Sequence, residues 1–269
     1  MDKVFAPEFK RNEQGWILFP RDVDERRQMF FPEEVMAHPA KMNFHLQQSI
    51  IEYVAKEGDV LLDPFGGTGT LMIGALQNMQ VILLEIEDGY HQLQMQAVEN
   101  LRKGDEEAAN RILLLQGDNR ILLPIPCNHI ITSPPYAQAM NIKKVREVKE
   151  GRDDYFAKMD AQMLAYSKSM RNISKLNTFL YNQAMERVYK LCYESLEIGG
   201  SMTIIIKDRI NNGKRTYLSK WVDRVCKQIG FSKSEWYKWL APGTSFTNVR
   251  RSRGEEVVDE EDIMIYWKD

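Results

Sequence analysis

A corner with two consecutive prolines follows a short apolar run in residues 129–140, HIITSPPYAQAM. Proline has no backbone N–H and fixes φ, so neither a helix nor an internal strand continues through Pro134 and Pro135. The carbonyl of Pro134 is therefore a rigid acceptor, the hydroxyl of Ser133 is a second acceptor, and Tyr136 offers a face for stacking. Two fixed acceptors and a ring suit a planar base with an exocyclic amino group. Accepting both amino hydrogens frees the nitrogen lone pair to attack an electrophilic methyl group. The alternative is a purely structural turn.

A glycine-rich loop, DPFGGTGT, occupies residues 63–70 and follows the apolar run DVLL. Glycine permits positive φ and lets a ligand approach the bare backbone at the carboxyl edge of a parallel sheet. The loop lacks the Gly-Lys-Ser/Thr ending of a P-loop and the GxGxxG spacing. Its first residue, Asp63, suits a ligand with an amino group.

Two more carboxylates end the next predicted strands. Glu85 is placed to accept both hydroxyls of a ribose, and Asp118 is placed to accept from an adenine amino group. A nucleoside that carries an amino acid, S-adenosylmethionine, satisfies all three features. The alternative is a tight turn with carboxylates that are merely solvated.

Hydrophobic periodicity predicts the elements that position these residues. Strands are predicted at 59–65, 80–86, 111–118, 126–133 and 201–207, and near 234–240 and 262–267. Helices are predicted at 43–56, 70–79, 89–103, 179–196, ended by Gly199 and Gly200, and 218–229. Strands that alternate with helices over short connections indicate a doubly wound α/β fold, a parallel sheet with helices on both faces.

Length and composition favour a single domain over residues 1–269, with an irregular N-terminal arm at 1–36. The net charge of −2 requires any nucleic-acid surface to be a local patch. Three widely spaced cysteines predict a reducing cytoplasm rather than a disulfide scaffold. The four histidines do not cluster with cysteines, so no metal site is predicted. No apolar run of about 18 residues occurs, so no membrane segment is predicted.

Residues 137–178 break the alternation, because they are polar and carry no strand signal. Within 140–175, nine Lys and Arg residues exceed five Asp and Glu residues, and aromatic residues are interspersed. Such a segment suits phosphate contacts and capture of an extruded base, so we predict a basic helical insertion that is a candidate for DNA recognition. The candidate DNA contacts are Lys143, Lys144, Arg146 and Arg152. A solvated helical excursion is the alternative.

The glycine loop followed by TSPPY resembles the amino-group DNA methyltransferases, which methylate cytosine N4 or adenine N6. The segments HPAKMN (38–43), VILLEIEDGY, EIGGSMTIIIKD and GEEVVDEEDIMIYWKD are similar to further parts of that family. The likeness covers about residues 38–136 and 179–269. It implies a Rossmann-like S-adenosylmethionine-dependent methyltransferase fold, with a mixed, mostly parallel sheet and a terminal antiparallel hairpin.

The resemblance also implies roles for individual residues. By this resemblance Phe65, Gly67, Gly69 and Glu85 would bind the cofactor. Together with the carboxylates already named and their neighbours, the predicted cofactor-binding set is Lys41, Asp63, Phe65, Gly66, Gly67, Thr68, Gly69, Thr70, Glu85 and Asp118. The catalytic set, which would hold the target base, is Ser133, Pro134, Pro135 and Tyr136.

The predicted function is methyl transfer from S-adenosylmethionine to an exocyclic amino group in DNA. A serine at the start of the corner favours cytosine N4, because the adenine enzymes of the family more often carry Asp or Asn there. The alternatives are an adenine N6 enzyme, an RNA or tRNA base methyltransferase, and a non-catalytic cofactor-binding subunit. The expected partner is DNA, with a homodimer, an accessory specificity partner and a place in restriction–modification left open.

Overall fold

The computed structural model describes residues 3–37, 41–137, 169–211, 213–241 and 245–269. The strands are β1 Val60–Asp63, β2 Gln80–Glu85, β3 Ile112–Gln116, β4 Cys127–Thr132, β5 Leu196–Ile206, β6 Arg209–Asn211, β7 Lys214–Thr216, β8 Lys233–Leu240 and β9 Glu260–Trp267. Seven of them form one sheet in the order β3-β2-β1-β4-β5-β9-β8, while β6 and β7 form a separate hairpin. The first five strands in that order are parallel, and β9 runs antiparallel to both β5 and β8. The mostly parallel sheet with a terminal antiparallel pair is as predicted.

The helices are α1 Val23–Arg27, α2 Phe44–Val54, α3 Asp88–Gly104, α4 Glu106–Asn110, α5 Asn119–Leu122, α6 Thr178–Ser195, α7 Leu218–Ile229 and α8 Ser245–Ser252. Within the described ranges, 3₁₀ helices occupy Glu33–Ala37, Thr70–Gln77 and Ile173–Lys175. Two separate apolar clusters contain the buried side chains, one built on α2 and α3 and the other on α6 and α7. The sheet is therefore covered on both faces, which confirms the doubly wound prediction. No helix in the described part of the chain is long and apolar enough to cross a membrane.

Amphipathic spacing explains how the helices pack on the sheet. In α7, Val222, Val225 and Cys226 are buried, while Lys220 and Lys227 on the other face are exposed. Burial of each aliphatic side chain of this size contributes about 1.5–3 kcal/mol relative to exposure. The predicted bounds of this helix and the observed ones agree because the apolar stripe follows the 3.6-residue period throughout.

Two predicted elements differ from the structure. The segment predicted as a helix over 70–79 is a 3₁₀ helix that ends at Gln77. It begins with the tighter pitch of a 3₁₀ helix, because Met72 N donates to Gly69 O, three residues earlier. The helix predicted over 179–196 ends at Ser195, and the two glycines predicted to end it lie inside β5. A β carbon on Gly200 would lie 2.4 Å from Asn128 O, so the glycine permits close approach of β4 at a register shift.

The N-terminal arm is part of the body of the protein rather than an irregular appendage. Phe5, Ile17 and Val35 are fully buried in the first apolar cluster. Ile17 N donates to Lys238 O, and Leu240 N donates to Ile17 O, so the arm pairs with the edge strand β8. This bridge pairs backbone groups at 238–240, the carboxyl end of the edge strand.

Of the predicted insertion at 137–178, the structure describes residue 137 and residues 169–178. Within 169–178, Ile173 and Ser174 are buried, and Asn172 caps the short 3₁₀ helix by accepting from Ser174 N at 2.9 Å. Because this turn is buried and capped, the residues directly before α6 pack against the rest of the protein. The rest of the insertion, 138–168, lies outside the described residues.

Candidate active site

The predicted corner and the glycine loop meet at the place where the strand order reverses. Thr132, the last residue of β4, donates from Oγ1 to Oδ1 of Asp63, the last residue of β1, at 2.6 Å. In the sheet, β2 and β3 lie on one side of β1, whereas β5 lies on the other side, beyond β4. Ligands of open α/β sheets bind outside the carboxyl ends of the strands at such a switch point.

Glu85 holds the glycine loop in place from the neighbouring strand. Its Oε2 accepts from Gly67 N at 2.7 Å, and its Oε1 accepts from Glu87 N at 2.8 Å. Gln94 of α3 donates from Nε2 to Gly67 O at 2.8 Å. The loop is therefore fixed on both its N–H and its carbonyl side, which gives it one shape before a ligand arrives.

The three glycines of the loop have different roles. A β carbon on Gly66 would lie 2.8 Å from Gln94 Nε2, and one on Gly69, at φ +80°, would lie 2.1 Å from Met72 Cε. At Gly66 the backbone oxygen of Leu84 would also be only 3.2 Å away, and at Gly69 the positive φ favours glycine. Gly67, at φ +50°, would place a β carbon no closer than 3.7 Å to any protein atom outside its immediate neighbours, so a side chain there would point into open space.

That open space is a cleft of about 470 Å³, open solvent at its mouth included. Five of the predicted site residues form part of its wall: Phe65, Gly67, Glu85, Asp118 and Pro135. The cleft therefore joins the glycine loop, two strand-end carboxylates and the proline corner in one cavity.

Burial shifts the acidity of two carboxylates at this edge. It raises the pKa of Glu85 to about 7, against the opposing effect of the hydrogen bonds from Glu87 N and Gly67 N. It likewise raises the pKa of Asp63 to about 6, although Thr132 and Phe65 N donate to that carboxylate. Both groups change charge near neutral pH, which is common at functional sites.

Asp118 lies in a different electrostatic environment. Its carboxylate accepts from Arg120 Nε at 2.8 Å and from Arg120 Nη2 at 2.6 Å. Burial alone would raise the pKa of Asp118, but the hydrogen bonds and charge of Arg120 outweigh it and the pKa is lowered. Asp118 is therefore ionised at neutral pH, and it shares its oxygens with Arg120.

A roof over the cleft was missed by the sequence analysis. Asn172 donates from Nδ2 to Oε1 of the buried Glu87 at 2.7 Å, and Ser169 N donates to Glu87 Oε2 at 3.2 Å. Asn172 and Ile173 line the cleft together with Glu85 and Glu87. The local signal was the Asn-x-Ser cap at 172–174, but nothing in the sequence linked it to Glu87.

The corner itself is fixed by three contacts. Tyr181 of α6 donates to Pro135 O at 2.7 Å, and Lys207 N donates to the hydroxyl oxygen of Tyr136 at 2.9 Å. Arg209 donates from Nη1 to Ala137 O at 2.8 Å, and its guanidinium lies 5.8 Å from the centre of the Tyr136 ring. Ser133, at the start of the corner, is exposed to solvent.

The remaining predicted cofactor residues lie away from the cleft wall. Asp63 is behind the loop, bonded to Thr132, and Gly66, Thr68, Gly69 and Thr70 belong to the loop without lining the described cleft. Lys41 donates from Nζ to Met36 O at 3.0 Å, and burial together with the charge of Arg26 lowers its pKa.

The four predicted DNA contacts, Lys143, Lys144, Arg146 and Arg152, lie outside the described residues. In the described ranges, no group of three or more His, Cys, Asp or Glu side chains is arranged to hold a metal ion.

The fold is that of the S-adenosylmethionine-dependent methyltransferases. A SAM-dependent O-methyltransferase from Thermotoga maritima matches with a TM-score of 0.54 and 14% identity, over 97% of this chain and 77% of that one. An arsenic(III) S-adenosylmethionine methyltransferase from Chlamydomonas reinhardtii matches with a TM-score of 0.51 and 13% identity, over 93% and 75%. TrmN from Thermus thermophilus matches with a TM-score of 0.46 and 12% identity, over 86% of this chain and 50% of TrmN. The chain thus spans about half the length of TrmN.

At the level of sequence, the family model for DNA methylases (N6_N4_Mtase) matches residues 6–97. The matched range contains the N-terminal arm, the glycine loop and Glu85, and it stops before the proline corner. It supports the predicted resemblance to amino-group DNA methyltransferases over that range. A search of curated proteins by sequence found no match.

Proposed function

We propose that the protein transfers a methyl group from S-adenosylmethionine to an exocyclic amino group of a base in DNA, with cytosine N4 favoured. The observation that supports this most directly is the shared cleft. Pro135 forms part of the same wall as Gly67 and Glu85, and the corner is joined to the glycine loop through Thr132 and Asp63. A cofactor site and an amino-group acceptor site would therefore be adjacent.

The residues of the cleft fit S-adenosylmethionine. Each Glu85 oxygen accepts one backbone N–H and retains a further lone pair for a ribose hydroxyl. Phe65 and Ile173 give apolar surface on which an adenine ring can pack, and Asp118 is an ionised acceptor. Gly67 leaves its β-carbon space free for the ligand. When bound, the cofactor would supply a methyl group carried on a positively charged sulfur.

At the corner, Ser133 Oγ and the Pro134 carbonyl accept the two amino hydrogens of the target base. The nitrogen lone pair would then be free to attack the methyl group that the cofactor would supply, with a neutral thioether as the leaving group. The methylated amine is cationic and strongly acidic, so its proton goes to water or to a carbonyl oxygen. Tyr181 and Lys207 stabilise the corner by binding Pro135 and Tyr136, which keeps the acceptors aimed before the reaction.

DNA is favoured over RNA because the matching family model describes DNA methylases. Cytosine N4 is favoured over adenine N6 by the serine at position 133. An RNA base methyltransferase and a non-catalytic cofactor-binding subunit are the alternatives. We also propose a cytoplasmic location, since the three cysteines are buried and unbridged. We further propose that the protein recognises DNA with the help of a second copy or an accessory subunit.

The test is transfer of tritium from methyl-labelled cofactor to DNA and to total RNA in parallel. Digestion of the product to nucleosides then separates N4-methylcytosine from N6-methyladenine. Label in DNA that disappears in Ser133→Ala supports the proposal, and the modified nucleoside identifies the base. Label in RNA alone would mean that the substrate is RNA rather than DNA. Cofactor binding without transfer to either nucleic acid would favour the non-catalytic subunit.

A further inference from the structure

A second cavity adjoins the proline corner and is separate from the cofactor cleft. It contains about 740 Å³ of empty space, open solvent included. Ala137, Tyr181, Asn182, Arg209 and Thr216 form much of its wall. Pro135 lines the first cavity and Ala137 lines the second, so the corner lies between the two.

The β6–β7 hairpin beside this cavity is strongly basic. Residues 207–220 contain five Lys or Arg residues and one Asp, in a chain whose net charge is −2. One of the five, Arg215, is used within the protein, because it pairs with Asp208 at 2.9 Å and Glu260 at 2.6 Å. Arg209, Lys214 and Lys220 are exposed. Arg209 lines the cavity, and the other two cations are exposed on the segment whose residues Thr216 and Leu218 also line it.

Exposed aromatic side chains accompany these cations. Tyr217 is 50% exposed, and the ammonium of Lys220 lies 4.2 Å from the centre of its ring. Phe179, in the first turn of α6, is 69% exposed. Cations with exposed rings are the combination that proteins use on a nucleic-acid strand, where phosphates meet the charges and bases stack on the rings.

Arg209 connects this surface to the corner. It donates to Ala137 O from Nη1, and a guanidinium has five N–H donors, so the bond to Ala137 uses only one of them. A phosphate that binds the other N–H groups would touch the same side chain that holds the end of the corner. Binding of the strand and positioning of the corner would then depend on one residue.

We propose that the β6–β7 hairpin and its cavity bind the sugar–phosphate backbone of the DNA strand that carries the target base. Arg209 and Lys214 contact phosphates next to the target nucleotide, and Lys220 with Tyr217 extends the contact along the strand. This rests on the proposed function. The proposal assigns strand binding to residues of the hairpin. The sequence alone predicted DNA contacts within the insertion at 137–178.

The test uses fluorescence anisotropy of a labelled 20-base-pair DNA duplex over a series of salt concentrations. The variants are Lys214→Gln and Lys220→Gln, and the matched control is Lys190→Gln on the exposed side of α6, roughly 18 Å along the helix from Thr178. Loss of one phosphate contact should reduce the slope of log K against log salt by about 0.9, and weaken binding about eightfold at 0.1 M salt. The loss should be the same for duplexes of different sequence. Calorimetry with S-adenosylmethionine checks that each variant is folded and binds cofactor normally.

The outcomes separate this inference from the proposed function. If the parent protein neither binds nor methylates DNA, the proposed function and the hairpin assignment are both wrong. If the parent methylates DNA but Lys214→Gln and Lys220→Gln keep its salt slope and affinity, the hairpin assignment is wrong and the proposed function stands. A slope that changes only with an RNA oligonucleotide of the same sequence would overturn the assignment to DNA. A change in the two hairpin variants with DNA, absent from Lys190→Gln, supports it.

Discussion

Thr132 donates a 2.6 Å hydrogen bond to Asp63, and this bond joins the ends of the two central strands beneath the glycine loop and the corner. Both side chains are buried, and burial raises the pKa of Asp63 to about 6. A folded-state pKa above the ordinary value means that the folded protein binds this proton more tightly than the unfolded chain. The contribution of Asp63 to stability is therefore fully present below about pH 4 and is lost as the pH rises through about 6.

Thr132→Val should destabilise the protein more at high pH than at low pH. At pH 8 the buried carboxylate is ionised and loses a donor, which costs about 1–3 kcal/mol of unfolding free energy. At pH 5 Asp63 is mostly protonated, so the loss should be smaller. Urea titrations at both pH values measure it.

Thr203→Val is the matched control. Thr203 is fully buried on β5, and among the described residues its hydroxyl has no hydrogen-bond partner. Its replacement should be neutral or stabilising at both pH values. An equal loss in the two valine variants would mean that the Asp63 bond has no special role.

Affinity for S-adenosylmethionine should rise between pH 6 and pH 8 and then level off. Burial raises the pKa of Glu85 to about 7, so below that pH the group is a neutral acid with fewer acceptor sites for the ribose hydroxyls. Ligand binding should lower this pKa and release a proton, which calorimetry detects in buffers of different ionisation enthalpy. In Glu85→Gln the affinity should be weaker and independent of pH over this range. A pH dependence that survives in Glu85→Gln would assign it to another group, with Asp63 the first to examine.

Gly67→Leu should abolish cofactor binding, and its loss of stability should not exceed the backbone cost of placing a leucine at a positive φ. A left-handed residue with a side chain costs about 1–2 kcal/mol, and the side chain would occupy the ligand's space. Gly58→Leu is the control, because Gly58 has φ +86° and open space around its β-carbon position. It should show the same backbone cost in thermal unfolding and normal binding by calorimetry. Unchanged affinity in Gly67→Leu would remove the cofactor assignment of the cleft.

Arg26→Met should destabilise the protein by about 3–5 kcal/mol, the cost of leaving a buried charge without its partner. Arg26 is fully buried, pairs with Asp22 at 2.6 Å, and donates to Thr70 Oγ1 of the glycine loop at 3.1 Å. The neighbouring Arg27 is half exposed and lies 3.6 Å from Glu33, so Arg27→Met should cost less than about 1 kcal/mol. Chemical denaturation of the two variants compares them, and similar values would mean that the arm does not hold the loop.

Arg26 also shows where sequence reasoning reached its limit. The seven strands of the main sheet and the glycine loop were predictable because each depends on a local pattern of apolar residues, prolines and glycines, although β5 begins at Leu196 rather than at 201. In contrast, the arm at 1–36 was predicted to be irregular, and nothing local tells whether Arg26 or Arg27 turns inward to meet Thr70, which is 44 residues from Arg26. The bond between Glu87 and Asn172 spans 85 residues, so the roof of the cleft was equally invisible. Contacts between elements that are distant in sequence depend on the assembled fold.

Ser133→Ala should lower turnover by about 10²–10³-fold, the cost of about 2.7–4 kcal/mol seen when one preorganised hydrogen-bonding group is deleted. The substitution removes one of the two acceptors for the amino hydrogens and leaves the prolines, the Tyr181 bond and the glycine loop unchanged. Cofactor affinity should therefore stay at the parent value, the pattern of an interaction made mainly in the transition state. Tyr136→Phe is the informative comparison, because it keeps the ring and removes only the oxygen that accepts from Lys207 N, so its loss should be smaller. Single-turnover assays with saturating cofactor measure both, and a Ser133→Ala enzyme that methylates DNA at the parent rate would show that the corner is not the catalytic site.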